Sequence, residues 1–300
     1  MNAKRPLALL ATVCALLGAL GGCGGAGIRE NADSEANAEQ SAAQEQGSVE
    51  ETSNPLIVTT TAGQVRGAEE NGVYRFLGVP YAEVKERFVP ADPVTPWEGV
   101  RDALEYGAIS PQTSFFGNST DGQNNNCQNL NIWTPATGDS VKRLVMVWYH
   151  GGGMTSGSAN DAGTNGANLS RNQDVVTVTV NHRLGVLGYL DLSAYGDKYA
   201  QSGNVGVLDM TASLQWIHDN IAAFGGDPDN VTVFGQSGGG AKVLALMTTP
   251  AAKGLFHKAI NESGATNTLG PVFATTEMSV RVAELTLQTL GVTGRVPKRG

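Results

Sequence analysis

From residue 55 onward, apolar residues fall into short runs divided by turn residues, and the spacing inside each run predicts its element. LIVTTT (56–61) and QVRG (64–67) straddle Ala62-Gly63, which predicts a short antiparallel pair. YRFLGVPYA (74–82) reads as a strand ended by proline, and LNIW (130–133) as a short strand stopped at Pro135. LVMVWY (144–149) and VVTVTV (175–180) are continuous apolar or β-branched runs. Such runs suit strands buried on both faces of a mostly parallel sheet. Residues 205–224 have helical spacing, with Leu208, Ala212, Gln215 and Ile217, joined by Leu214 and Trp216, on the apolar side. GGDP (225–228) stops that helix and turns the chain into VTVF (231–234), and an alanine- and leucine-containing helix follows at 241–247. KAIN (258–261) predicts a short strand. Residues 276–290 predict a helix capped by Thr275 or Thr276 and ended by Gly291. Residues 87–97 are proline-punctuated surface chain, and 98–126 are polar and irregular. Strands alternating with helices predict the α/β class. No internal repeat is present.

The first 54 residues break this pattern. Lys4 and Arg5 precede an apolar stretch (7–20) that is too short to span a bilayer comfortably. It ends Leu20-Gly21-Gly22-Cys23, which resembles a bacterial lipobox. Residues 1–23 therefore predict a lipoprotein signal peptide, with Cys23 acylated and the mature chain anchored to a membrane, not spanning it. An ordinary secretory signal cleaved nearby is the other reading. Gly24 in place of an aspartate points to the outer membrane or cell surface of a bacterial envelope. Residues 24–54 carry almost no large apolar side chain and predict a disordered acidic tether to the domain at 55–300.

Charge adds little. The net value is −8, but much of it sits in the tether, where Glu30, Asp33, Glu35, Glu39, Glu45, Glu50 and Glu51 face Arg29 alone. No basic stripe suggests nucleic acid. Of three cysteines, Cys14 and Cys23 belong to the signal, so Cys127 has no intramolecular disulfide partner in a mature chain. No cysteine pair or histidine cluster has metal-ligand spacing, and no cofactor is expected.

The chemistry centres on VTVFGQSGGG (231–240), a strand running into Gly-x-Ser-x-Gly and then a helix. That is the context of a nucleophile elbow with Ser237 at its tip. Gly235 and Gly239 flank it where a Cβ would collide with a neighbouring strand or helix. A phosphate-binding loop fails, because Ala241 stands where its lysine belongs and Val243 follows Lys242. A glycine-rich turn without chemistry is the plainer reading in a chain with 39 glycines. Upstream, HGGG (150–153) follows directly on an apolar strand. Its freed N–H groups, Gly152 and Gly153, join that of Gly238 as candidate donors to a developing oxyanion.

These stretches occur together with FLGVPYAE (76–83), RFVP (87–90), LNIWTP (130–135), VTVNHRLGVLGYL (178–190), GNVGVLDM (203–210) and GLFHKAINESGA (254–265). In that order they resemble the carboxylesterase/cholinesterase family of α/β-hydrolases, the type-B carboxylesterases, over most of 56–265. The resemblance implies an α/β-hydrolase fold with a mostly parallel central sheet. It implies hydrolysis of a small carboxylic ester through an acyl-serine, with Ser237 as nucleophile and Gly152, Gly153 and Gly238 as the oxyanion hole.

The chain departs from the family in four places. Asn125 and Asn126 replace an acidic pair, so an ion pair to Arg87 is lost or replaced. Ser110-Pro111-Gln112 stands where the family often has the cysteine that pairs with the equivalent of Cys127. Gln236 replaces a frequent glutamate before the nucleophile. Finally, the fold orders its triad as serine, acid, histidine, and only 238–300 follow Ser237. His257 matches a structural position, His150 is expected to hold the glycine loop, and His182 and His218 sit in strand-end and helix contexts. Glu262, Glu277 and Glu284 match no family acid. The expectation is therefore a domain lacking the C-terminal part of its fold, with a sheet edge near Ala259 and no base of its own. A non-catalytic cholinesterase-like surface module, or a defunct fragment, is the alternative to the enzyme. The oligomeric state is unknown from sequence.

Overall fold

The computed structural model describes residues 54–113, 121–264 and 274–292. The expected signal, Cys23 and nearly all of the tether lie outside the described residues. In chain order the strands and helices are β1 (Ile57–Thr59), β2 (Gln64–Arg66), β3 (Ala68–Glu70), β4 (Val73–Pro80), β5 (Val100–Asp102), β6 (Asn129–Thr134), β7 (Arg143–Tyr149), α1 (Ala167–Gln173), β8 (Val176–Val180), α2 (Gly185–Tyr189), α3 (Val205–Asn220), β9 (Gly226–Gln236), α4 (Gly238–Thr248), β10 (Lys258–Glu262) and α5 (Thr276–Thr289).

The main sheet runs β10-β9-β7-β8-β6-β4-β3, and β1, β2 and β5 form a small second sheet. From β10 to β8 every ladder is parallel, and from β8 to β3 every ladder is antiparallel. The parallel side is where the apolar runs lie. β8 is buried at every position, and β7 buries Val145, Val147 and Tyr149. The antiparallel side, β6, β4 and β3, carries a bulge between Phe76 and Val79. Gly78 makes that bulge possible: its φ is +65°, and a Cβ there would lie 2.7 Å from the Gly107 nitrogen.

Met210, Leu214 and Ile217 of α3 pack with Val145, Val147 and Val178 of the sheet in one core. Burying each such side chain is worth about 1.5–3 kcal/mol. The buried stripe of α3 differs from the expected one. Gln215 is exposed and bonds to Asp219, whereas Val205, Asp209, Met210, Ser213, Leu214, Ile217 and Asn220 face inward. The difference has a specific source. Asp209 is polar in sequence but meets a buried arginine, which carries the inner face one position along. The polar stretch read as irregular contains β5, which pairs with β2, and the short helices α1 and α2 carry no strong periodic signal. The α5 cap is Thr275, whose side chain accepts from the Met278 N–H. β10 is the outer strand of the main sheet among the described residues, as expected near Ala259.

Candidate active site

β9 ends at Gln236 and α4 begins at Gly238, so Ser237 alone makes the turn. Its φ of 55° and ψ of −120° lie where a non-glycine residue is strained. Local packing holds it there. The Ser237 N–H donates to the Glu262 carbonyl at the end of β10 (2.8 Å), and its own carbonyl accepts from Ala241 (3.2 Å). A Cβ on Gly235 would lie 2.6 Å from the Tyr149 carbonyl oxygen, and one on Gly239 would overlap the same oxygen. Both flanking glycines are therefore required by contact with the end of β7. Beyond them, Gly240 approaches the Asn261 side chain and Gly264, and Asn261 Oδ1 accepts from the Gly264 N–H (2.8 Å). The Ser237 side chain is half-buried, and its hydroxyl has no hydrogen-bond partner among the described residues.

The glycine loop leaves the sheet beside this turn. Tyr149 is in register with Gly235, so His150 and Gln236 leave the sheet at the same level. Gly152 and Gly153 have φ of +85° and +64°, which glycine alone adopts without strain. A Cβ on Gly238 would overlap the Gly153 nitrogen, so these two backbones are in direct contact. The N–H groups of Gly152, Gly153 and Gly238 have no acceptor among the described residues. Elsewhere the loop is tied down: Ser156 donates to the Gly152 carbonyl through both N–H and hydroxyl (3.1 Å each). Gln112 brackets Gly157, accepting from its N–H (2.7 Å) and donating to its carbonyl (2.9 Å).

Behind the loop lies a buried basic cluster. The His150 and His182 rings stack with centroids 5.1 Å apart. His150 Nδ1 lies 2.9 Å from the Gly151 carbonyl, and His182 Nδ1 lies 3.0 Å from the Arg183 carbonyl. A carbonyl can only accept, so each Nδ1 carries the proton. Burial holds both imidazoles well below their usual range, helped by Lys242, and they stay neutral. Lys242 of α4 is fully buried and donates from Nζ to the His150 carbonyl (2.7 Å). Desolvation lowers its pKa to about 7.

A second buried network braces the 181–184 turn. Arg183 and Asp209 form a two-point ion pair (2.6 and 2.8 Å) with neither side chain more than 2% exposed. Asp209 also accepts from the Arg183 N–H and from Gln128 (3.0 Å each). Cys127 is free and fully buried next to this pair. Burial pushes its thiol up to about 12, and a hydrogen bond with Ser110 opposes this. The ion pair expected to be lost or replaced at Arg87 is replaced by an amide. With its amide oriented by hydrogen bonding, Asn125 accepts from Arg87 Nη2 (2.7 Å) and Nε (2.9 Å).

The remaining titratable candidates lie elsewhere. His257 is exposed, and its Nδ1 accepts from the Val231 N–H. That is about 20 Å along β9 from Ser237 at strand rise. His218 is an exposed partner of Asp219 (3.0 Å). Glu262 is exposed on β10, Glu284 pairs with Arg281 (3.1 Å), and Glu277 lies in the first turn of α5. Among the described residues, no group of three or more His, Cys, Asp or Glu could hold a metal ion. Sequence reasoning missed Lys242, Asp209, Asn261 and Gln112. Lys242 carries the one available signal, a lone charge inside the apolar run of α4.

A parallel ladder, a strained serine between strand and helix, and a glycine loop abreast of it define the α/β-hydrolase fold. The chain belongs to the carboxylesterase family, whose model matches residues 54–295. It is 44% identical to the para-nitrobenzyl esterase of Bacillus subtilis (strain 168), over 79% of this chain and 48% of that protein. It is 43% identical to the phenmedipham hydrolase of Pseudarthrobacter oxydans, over 69% and 42%. Among solved structures it superposes on an esterase from Clostridium hathewayi that can hydrolyze aliphatic aromatic polyesters. The TM-score is 0.75 and the identity 46%, over 80% of this chain and 49% of that one. The carboxylesterase EST55 of Geobacillus stearothermophilus gives a TM-score of 0.74 at 39% identity, over 79% and 49%. The chain thus spans about half the length of the relatives it matches.

Proposed function

We propose that this chain carries the nucleophile and the oxyanion site of a carboxylic ester hydrolase. The observation that supports this is the convergence of three unengaged backbone donors, Gly152, Gly153 and Gly238, beside an unpartnered serine hydroxyl on a strained turn. Ser237 Oγ attacks the ester carbonyl and gives up its proton to a base. The carbonyl oxygen becomes an oxyanion that the three N–H groups stabilise. Removing one such donor costs about 3–4 kcal/mol of transition-state stabilisation. Collapse expels the alcohol and leaves an acyl-serine, which water then hydrolyses by the same route. No histidine among the described residues hydrogen-bonds to Ser237. The base and its orienting acid are placed after Ser237 in the chain order of this fold. Retention of the serine, its strain and its donors favours this reading over a non-catalytic surface module.

The substrate class is a small carboxylic ester, on the strength of relatives named as esterases. Localisation at the bacterial envelope through an acyl group on Cys23 belongs to the same proposal and rests on the LGGC segment. Two measurements test it. Turnover of a nitrophenyl acyl ester by the full-length protein should disappear in Ser237→Ala, and equal turnover in both would refute the role of Ser237. Metabolic fatty-acid labelling should be lost in Cys23→Ser, and undiminished labelling would refute the anchor.

A further inference from the structure

Lys242 is among the largest fully buried side chains of the protein, and no carboxylate pairs with it among the described residues. A buried ammonium without a counter-ion works against folding, and an apolar side chain of the same length would suit that site better. Its contacts point to another use. Nζ donates to the His150 carbonyl (2.7 Å) and lies 3.4 Å from His150 Nδ1. The His150 carbonyl and the Gly151 N–H belong to one rigid peptide plane. That plane is the root from which Gly151, Gly152 and Gly153 leave β7. Three glycines have no side chains to pack, so the direction of the loop depends on what holds its root and its far end. Ser156 and Gln112 hold the far end. At the root, His150 turns Nδ1–H back onto the Gly151 carbonyl, and Lys242 holds the carbonyl just before it.

We propose that Lys242 is a positioning residue for the oxyanion loop: its hydrogen bond to the His150 carbonyl sets the peptide plane that aims the Gly152 and Gly153 N–H groups. This rests on the ester-hydrolase reading for its catalytic consequence but not for its structural one. Lys242 touches no reacting atom. It acts through the backbone at the end of β7, and its place on α4 ties loop direction to the helix that begins just after Ser237. A loop misdirected by a fraction of an ångström still binds substrate but stabilises the oxyanion poorly, so the loss falls on kcat.

The test uses the full-length protein with 15N-labelled glycine, in parent, Lys242→Met and Lys242→Gln forms. Methionine keeps the stem and removes the donor, and glutamine returns a neutral donor. In Lys242→Met the 1H–15N amide cross-peaks of Gly151, Gly152 and Gly153 should shift, reporting the changed direction of the loop, while the global melting temperature holds or increases. With a nitrophenyl ester, kcat should fall roughly ten- to a hundredfold with KM within about threefold, and Lys242→Gln should recover part of both changes. Unchanged Gly151, Gly152 and Gly153 cross-peaks in a folded Lys242→Met protein overturn the proposal. Loss of fold in both variants also overturns it, because the lysine would then serve the fold itself. Ser237-dependent turnover in the parent bears only on the hydrolase reading and is read separately, and the glycine cross-peaks decide the role of Lys242.

Discussion

Gly235 and Gly239 stand so close across the elbow that a Cβ at 235 would lie 2.5 Å from the Gly239 carbonyl carbon. Both also abut the Tyr149 carbonyl, so strand, turn and helix meet at one point with no room for a methyl group. Alanine at either position has to push α4 away from β7. Gly235→Ala and Gly239→Ala should each cost about 3 kcal/mol in urea unfolding. Each should also abolish Ser237-dependent turnover. A change under about 0.5 kcal/mol, the usual size for an innocuous surface substitution, would contradict this packing.

The Arg183–Asp209 pair gives a second expectation. Asp209→Ala leaves a guanidinium buried with no counter-charge and should destabilise by about 3–5 kcal/mol. Replacing both residues by apolar ones, as in Arg183→Met with Asp209→Leu, should recover most of that loss. Chemical denaturation of the two single variants and the double variant measures the coupling. Additive losses would show that the two residues act independently.

Ser110 and Cys127 are both buried, and Ser110 lies near enough to lower the Cys127 thiol, so Ser110→Cys brings two thiols together. Under oxidising conditions the variant should form a 110–127 disulfide and gain about 2–4 kcal/mol. Expressed without residues 1–23, the parent should titrate as a single free thiol that reacts only after denaturation, since burial raises it to about 12. Mass spectrometry after alkylation with and without reductant reads both outcomes. Two alkylated thiols in the oxidised variant would count against the pairing.

Lys242 gives the fold a measurable pH dependence. Its folded pKa is about 7, below the 10.5 of an unperturbed lysine. Between these values the unfolded chain holds a proton that the folded chain has released, so stability rises with pH. Cys127 opposes this above pH 9, where its unfolded thiol ionises and its buried one does not. The stacked His150 and His182, which face Lys242, add their own loss of stability as pH falls below about 6.5. The clean window is therefore pH 7 to 9, with a gain of about 2–3 kcal/mol. Lys242→Met should be flat across that window and more stable than the parent at pH 7. Parallel curves for the two proteins would reject the assignment.

Local features are legible in the sequence. The elbow is contained within ten consecutive residues, and steric rules at two glycines are enough to place it. The runs at 144–149 and 175–180 announce buried strands because their neighbours are apolar on both sides. What depends on distant partners is not legible. Asp209 reads as the polar face of α3 until Arg183, far away in sequence, is seen to meet it. Asn125 reads as the loss of an ion pair, yet its amide oxygen still receives the Arg87 fork. Lys242 shows in the sequence as a lone charge inside the apolar run of α4, but nothing nearby announces that the His150 carbonyl lies against it.

The Tyr149–Gly235 and Glu262–Gln236 pairings carry a consequence for how this molecule tolerates change in length. The spacing between serine and glycine loop is written in backbone ladders, where one step is about 3.3 Å and also inverts the face of every side chain. A single added residue in β7 or β9 would throw the two halves of the site out of gauge, whatever its side chain. Residues inserted between Asn160 and Gly166, past the point where Gln112 pins the loop, would leave that gauge untouched. Variation in length is thus channelled by the sheet into the outer turns, and the distance between attacking oxygen and stabilising amides is inherited as a property of the register.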